Sequence, residues 1–440
     1  MVAPELSPAP DSKSGPADRR SSFNALRHRD FRLMWMGQLV SVTGSQMQLV
    51  AINWHIYLLT KSALALGAVG LVRVVPIILC SLVGGVVADA VDRKRLILAT
   101  QAVMLLSAGA LALITAAGLR SIWPIYLLTA VSSAAVAFEA PARQALLPAL
   151  VPPEDFQNAV SLYLIVFHVS MIAGPALAGL LLNSYAPALI YAINAASFVA
   201  VMAAVLLIRA SGRAAGEGEE AARVSFGALG EGLRFVWRTP IIVQTMSLDF
   251  IATFFASATA LLPIYATEIL RVGARGLGAL AAAPAVGSVI TALSMARLGV
   301  LRRQGAIVIG SIAVYGAATI AFGLSRVFWF SLLMLGLTGA ADTVSTVLRQ
   351  TIRQLSTPNQ LRGRMTSVNM IFFMGGPQLG ELEAGAVASL TGSVMFAVVT
   401  GGVGCLIAVA LAALFARSLL SYEADGTTGK ALSAERRVTR

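Results

Sequence analysis

GPALAG, residues Gly174 to Gly179, and GPQLGE, residues Gly376 to Glu381, decide how this chain is read. Each follows a second shared segment at a similar remove. PARQALLPALVPPED (141–155) precedes the first and LRQTIRQLSTPNQ (348–360) the second, aligning Arg143-Gln144 with Arg349-Gln350 and Pro152 with Pro358. A bias toward Leu, Ala and Gly mimics one such match by chance. Two matches in the same order point to a duplicated unit.

The composition says what kind of unit. Of 440 residues, 57% are hydrophobic and 12% charged, against about 25% charged in ordinary soluble domains. Apolar runs of bilayer-crossing length, about 20 residues each, recur from Phe31 to Phe415. Polar and basic punctuation divides them into twelve spans, beginning near Phe31, Ala65, Leu96, Ile122, Gln157, Pro187, Ile241, Leu277, Ala306, Val327, Gly363 and Ser393. The expected fold is an all-α polytopic membrane protein of two pseudo-symmetric six-helix bundles. Its parts are a cytoplasmic leader over 1–24, a first bundle over 25–210, a linker over 211–239, a second bundle over 240–420 and a tail over 421–440. The linker contains GRAAGEGEEAAR, too charged and Gly-rich to pack a core. A polar, Pro- and Ser-rich leader running straight into repeated spans predicts no cleavable signal peptide.

A formal charge of +12 raises the question of nucleic acid, and the distribution of the basic residues answers it. Arginines and lysines cluster before the first span, after the second and fourth, in the linker and in alternate loops beyond it. The intervening loops hold scattered ones: Lys61, Arg120, Arg271, Arg275 and Arg326. This is the positive-inside pattern, with both termini cytoplasmic, and it implies lipid as the partner and no nucleic acid. Cys80 and Cys405 stand singly in apolar runs, without metal-site spacing or a disulfide partner. No cofactor or metal is expected.

Ionisable groups at membrane depth are functional candidates by default, because even the lenient insertion scale charges about 2.5–3.5 kcal/mol for one at the bilayer centre. Asp249, Asp342, Glu381 and Glu383 are the acids; Arg73 is the basic residue well inside a span, and Arg143 and Arg349 follow the fourth and tenth spans. Each acid is either a substrate or proton contact or a structural group satisfied by a neighbouring helix. Glu381 and Glu383, two apart, point to different sides of a helix, so one of them faces the interior, as a partner for Arg73, Arg143 or Arg349. Desolvation in general favours the protonated form of a carboxylate, which suits such a group to proton exchange. In the first span Gln38, Ser41, Ser45, Gln48 and His55 fall on one helical stripe expected to face water. The offset that superposes Gly67 on Gly278 brings Asp249 onto Gln38. Gly174, Pro175 and Gly179, with Gly376 and Pro377 in the second copy, describe a kinked, smooth helix able to rock against a neighbour. In GGVVADAVDRKRL, Gly85, Asp89 and Arg93 form either a charge lock between helix ends or topogenic charge with a solvated acid.

These segments resemble the major facilitator superfamily over roughly Ser22 to Leu420. GGVVADAVDRKR is similar to that family's loop motif, with Ala90 and Asp92 departing from it, and Ser161 to Gly179 is similar to its fifth-helix antiporter motif. LDFIATFFASATALLPIYATEIL, GAADTVSTVLRQT and QLGELEAG most resemble the enterobactin-exporter-like branch. The fourth span lacks the intramembrane arginine of many family antiporters. The resemblance implies helices one, four, seven and ten around a central cavity, with substrate and proton contacts at Gln38, Ser45, Gln48, Asp249, Asp342, Glu381 and Glu383. It also implies a monomer in a bacterial inner membrane that exports a small amphipathic molecule, such as a siderophore or drug, against protons. An importer or symporter of a small metabolite is the alternative. A membrane enzyme or sensor is remote, since the chain has no HExxH, no nucleophile motif and no appended signalling domain.

Overall fold

The computed structural model describes residues 23–118, 120–212, 233–257, 259–298, 301–358, 361–415, 417–420 and 422, with the side chains of 82–86, 88–90, 367 and 417 outside that set. Twelve long helices dominate. The first six are α1 (Arg29–Thr60), α2 (Ala63–Ala90), α3 (Arg93–Ala116), α4 (Trp123–Leu146), α5 (Phe156–Leu182) and α6 (Pro187–Leu207). The second six are α7 (Pro240–Phe255), α8 (Gly273–Arg297), α9 (Gln304–Leu324), α10 (Phe328–Leu355), α11 (Arg362–Thr391) and α12 (Val394–Phe415). Each begins within four residues of its expected start.

Local chemistry marks the boundaries. α1 stops where Lys61 turns left-handed at φ 53, and Ser62 then caps α2 by accepting from the Ala65 N–H. Asp92 caps α3, its Oδ1 accepting from the amides of Lys94 and Arg95 at 2.9 and 3.1 Å, which satisfies donors a helix start leaves open. Gly392 ends α11 in the left-handed region at φ 68. α7 breaks after Phe255 and resumes through short turns to a π-helical stretch at Tyr265–Ile269.

Ten described helices are long and apolar enough to cross a membrane. α1 and α11 fall outside that set. They carry, respectively, the Gln38 to Gln48 polar stripe and the two glutamates.

Duplication shows in the packing. In the first half α1 packs on α5 and α6, α2 on α4, and α3 on α4 and α6; in the second α7 packs on α11 and α12, α8 on α10, and α9 on α10 and α12. Every pairing repeats six helices later. The two seams between halves, α2 with α11 and α5 with α8, exchange under the same operation.

Glycine lets both seams close. A Cβ on Gly179 would stand 2.7 Å from the Cα of Gly278, and one on Gly67 would meet the carbonyl of Glu381 and stand 3.1 Å from the Cα of Gly385. Small residues of this kind are how membrane helices approach backbone to backbone.

The halves are joined at one end and separate at the other. One apolar cluster crosses between them at the end where α1 meets α2, uniting Tyr57, Leu66 and Tyr191 with Tyr265, Leu277 and Ala388. There the Tyr57 hydroxyl donates to Glu268 Oε1 at 2.9 Å and accepts from Thr267 Oγ1 at 2.7 Å. At the end where α2 meets α3, each half keeps its own clusters, around Phe31 and Leu146 in the first and around Ile309 and Leu348 in the second.

The fourth and tenth helices run further than expected. Arg143 and Arg349 do not follow their spans: both lie inside helices, α4 to Leu146 and α10 to Leu355. Pro141 lies inside α4, within its last two turns.

Candidate functional site

Each half holds an arginine at an equivalent place, partly buried in the first and fully buried in the second. In the first half Arg143 Nη1 donates to Glu139 Oε1 at 2.8 Å, one turn back on α4, and to Gln38 Oε1 on α1 at 2.9 Å. In the second, Arg349, 1% exposed, pairs through Nη2 with Asp249 Oδ1 on α7 at 2.8 Å and donates to Thr346 Oγ1 at 3.0 Å. The correspondences expected from the repeat, Gln38 with Asp249 and Arg143 with Arg349, thus occupy the same geometry.

Asp342 completes the second cluster. Its Oδ1 lies 3.8 Å from Arg349 Nη2, and its side chain is 46% exposed while that of Asp249 is 4% exposed. Two carboxylates therefore share one guanidinium, one enclosed and one open. Arg353, one turn on and 4% exposed, has an Nη1 without a hydrogen-bond partner among the described residues.

The α2–α11 seam carries the third group. Glu381 occupies the place of Gly179 in the repeat: its Oε1 accepts from Thr259 Oγ1 at 3.0 Å, and its Oε2 would be 3.0 Å from a Cβ on Gly70. Arg73 of α2 lies within electrostatic reach of it. Glu381 is thus not the partner of Arg143 or Arg349, which take Glu139 and Asp249. Glu383 points elsewhere, with its Oε2 shielded from solvent and unpartnered among the described residues.

On α1, Gln38, Ser41, Ser45 and Gln48 line a cavity of about 270 Å³ within the first half, together with Arg73, Gln101, Thr129, Glu139, Arg143 and Asn194. Gln48 Oε1 accepts from Asn194 Nδ2 at 2.7 Å. His55 leaves the stripe: it is buried with its Nδ1 3.3 Å from the Tyr191 hydroxyl.

The fifth-helix pattern also has a contact. A Cβ on Gly174 would strike the side chain of Gln46 and stand 3.0 Å from the Thr43 carbonyl, so α5 lies directly on α1; Gly376 bears in the same way on Thr253 and Phe250 of α7. Pro175 and Pro377 sit within these helices. In the loop motif, the side chains of Gly85 and Asp89 lie outside the described residues, while Arg93 Nη1 donates to the Ala145 carbonyl at 2.9 Å, tying α3 to the end of α4.

Sequence reasoning missed Glu139, Arg353, Gln101, Thr129 and Thr259. Arg143, read as following the fourth span, reaches Gln38 from the last turn of α4. The signal was the spacing Asp342, Ser345, Arg349, Arg353, which keeps one face through what looked like a loop.

A family model described as transmembrane secretion effector, a branch of the major facilitator superfamily, matches residues 20–435. The chain belongs to that family. As a major facilitator protein it is a multi-pass membrane transporter and not an enzyme. It is 24% identical over 368 residues to the multidrug efflux pump Tap of Mycolicibacterium fortuitum, covering 82% of this chain and 89% of that one. It is 25% identical over 375 residues to the enterobactin exporter EntS of Salmonella typhimurium, covering 85% and 89%. A solved bacterial homologue of the lysosomal transporter Spinster, inward-facing and occupied, superposes with a TM-score of 0.71 at 13% identity over 89% of this chain and 97% of that one. A bacterial homologue of the iron transporter ferroportin, inward-facing, does so at 0.63 and 15% identity over 90% and 99%.

Proposed function

We propose that this major facilitator protein is a proton-coupled exporter of a small amphipathic molecule, a siderophore or drug, working as a monomer in the bacterial inner membrane with both termini cytoplasmic. The observation that carries the reading is the pair of acids on Arg349. When Asp342, the open one, takes up a proton, Arg349 keeps Asp249 as its full counter-charge, and α7 and α10 draw together. When the proton leaves, the guanidinium is again divided between two carboxylates. Such a cluster has two arrangements whose balance a proton moves.

The joined and separate ends support the direction. The basic-rich loops lie at the separate end, so on the positive-inside rule the cavity opens to the cytoplasm, where an exporter loads. The two seams of glycine, being smooth, allow the halves to rock. The names of the efflux relatives support export over import and suggest the substrate class.

Everted vesicles test this. Substrate accumulation driven by an inward-acid gradient and abolished by a protonophore is expected, with loss of coupled flux in Asp342→Asn and in Asp249→Asn at unchanged expression. Uptake confined to right-side-out vesicles would reject export, and normal coupling in both variants would remove the acid cluster from the mechanism.

A further inference from the structure

α1 and α7 are equivalent in the repeat, yet the chain enters them in different ways. The offset that brings Gln38 onto Asp249 also brings Ala25 onto Val236, both buried, and Arg27 onto Arg238, both exposed. In the first half polar bonds pin this entry to α5. Asn24 Nδ2 donates to Asp155 Oδ1 at 2.7 Å, the Ala25 amide donates to Asn158 Oδ1 at 2.9 Å, and His28 Nε2 lies 2.7 Å from Asp155 Oδ2. In the second half residues 233–238 are helical and stop at Thr239, whose backbone is extended ahead of Pro240, as the residue before a proline prefers. Val236, 3% exposed, seats this turn among Ile242, Met246, Met365 and Val368. Among the described residues, no hydrogen bond or ion pair engages the side chains of 233–238.

The exposed side of this turn is ordered. At about 3.6 residues per turn, Leu233, Trp237, Arg234 and Arg238 follow one another over about 140° of arc, the apolar pair along one edge and the basic pair along the other. All four are exposed, Trp237 at 63%. Charge here has one sign. Residues 233–248 contain two arginines and no acid, and α11, on which the turn packs, carries an exposed Arg362 one turn before Met365 and no acid before Glu381.

The apolar run of α7 begins at Pro240, so this face lies within a turn or so of the hydrocarbon edge. An occupant at that depth has to offer apolar surface to Leu233 and Trp237, an acceptor to the free indole N–H, and negative charge to two guanidinium groups. A phospholipid presents these in that order, as acyl boundary, ester carbonyl and phosphate. A head of net negative charge adds attraction that a zwitterionic one cancels within itself. A soluble acidic partner supplies the charge without the apolar half.

We infer that the open face of residues 233–238 is a docking surface for anionic phospholipid, the arginines holding the phosphate and Leu233 and Trp237 the acyl boundary. The inference concerns the lipid-facing surface and is independent of proton coupling and of export direction.

The full chain reconstituted in phosphatidylcholine nanodiscs tests it, with dibrominated phosphatidylglycerol or dibrominated phosphatidylcholine titrated in as quencher. The Trp237 emission is taken as the difference between the unmodified chain and Trp237→Phe. Brominated phosphatidylglycerol is expected to quench it at lower mole fraction than brominated phosphatidylcholine. Arg234→Gln and Arg238→Gln should each lower that preference about fivefold, the equivalent of about 1 kcal/mol. Arg234→Lys and Arg238→Lys should retain most of it, which separates lost charge from a disturbed fold. Inorganic phosphate should compete no better than chloride at matched ionic strength. Equal quenching by the two lipids, an unchanged preference in both glutamine variants, an equal loss in the lysine variants, or displacement specific to phosphate would overturn the assignment.

Discussion

In the first half the arginine of the fourth helix holds one acid, from its own helix, and a neutral amide from α1; in the second half its counterpart holds an acid from α7 and shares itself with another from α10. Geometry is conserved between the halves while charge is not. An Asp where the first half has Gln, and a second, more open acid beside it, turn a simple pair into one with a choice of partners. The difference teaches that duplication supplies the frame, and that single substitutions on it separate a hydrogen-bonding half from a titratable one.

The largest expected effect tests that contrast directly. Arg349→Met leaves the enclosed Asp249 without its counter-ion and Asp342 without its neighbour. Removing one partner of a buried pair costs about 3–5 kcal/mol, so the variant should unfold far more readily in detergent. Arg143→Met strands only Glu139 and frees Gln38, which is neutral, and its loss should be smaller. Adding Asp249→Asn to Arg349→Met should recover most of the stability, because a pair removed whole is often nearly neutral. Equal losses in the two single variants, or no recovery in the double, would break the comparison.

How much of this was legible depends on what surrounds a residue. Asp249 and Asp342 stood out because a charge in an apolar run needs either a partner or water, whichever role it serves. The twelve spans and their duplication were legible for the same reason, since a bilayer imposes a length and a polarity rule on every segment. Glu139 and Arg353 were not, because EAPAR and RQTIRQ combine Pro, Arg and Gln in the manner of a loop, while the helices continue there with their polar side packed inward. Glu381 was visible as an anomaly, yet its partner was not: the choice among three arginines depends on which helix crosses at Gly67 and Gly70, a tertiary fact. The cavity within the first half was only half visible, through the α1 stripe, because Gln101, Thr129 and Asn194 are ordinary single polar residues until the bundle brings them together.

A second comparison, between the two seams, gives a smaller effect. At α5–α8 the contact is glycine on glycine; at α2–α11 the same position of the repeat is Glu381, within reach of Arg73. Gly278→Val and Gly67→Val both force backbone apart, and overpacking of this kind costs typically about 1–3 kcal/mol against the closed end. Spin labels on Leu64→Cys and Leu390→Cys, at that end, should report a longer distance in either variant. If the Gly67 variant alone opens the end, the charged seam is the tighter of the two; if neither does, the seams are not what holds it shut.

The smallest effect separates polar from apolar closure. Tyr57→Phe removes the hydroxyl that bridges Thr267 and Glu268 and retains the ring, including the face over which Lys61 Nζ lies at 4.0 Å. Glu268 is exposed, so water replaces the lost donor, and the net change should stay within about 0.5–1.5 kcal/mol, the usual worth of one hydrogen bond. That corresponds to a shift of about tenfold at most between closed and open ends, read with the same label pair. The apolar cluster that crosses the halves remains whole in this variant, with Leu66, Tyr191, Tyr265 and Leu277 all enclosed. An opening as large as that from Gly67→Val would mean that two hydrogen bonds outweigh the whole shared core, and the closed end would have to be understood as a polar latch and not as packed surface.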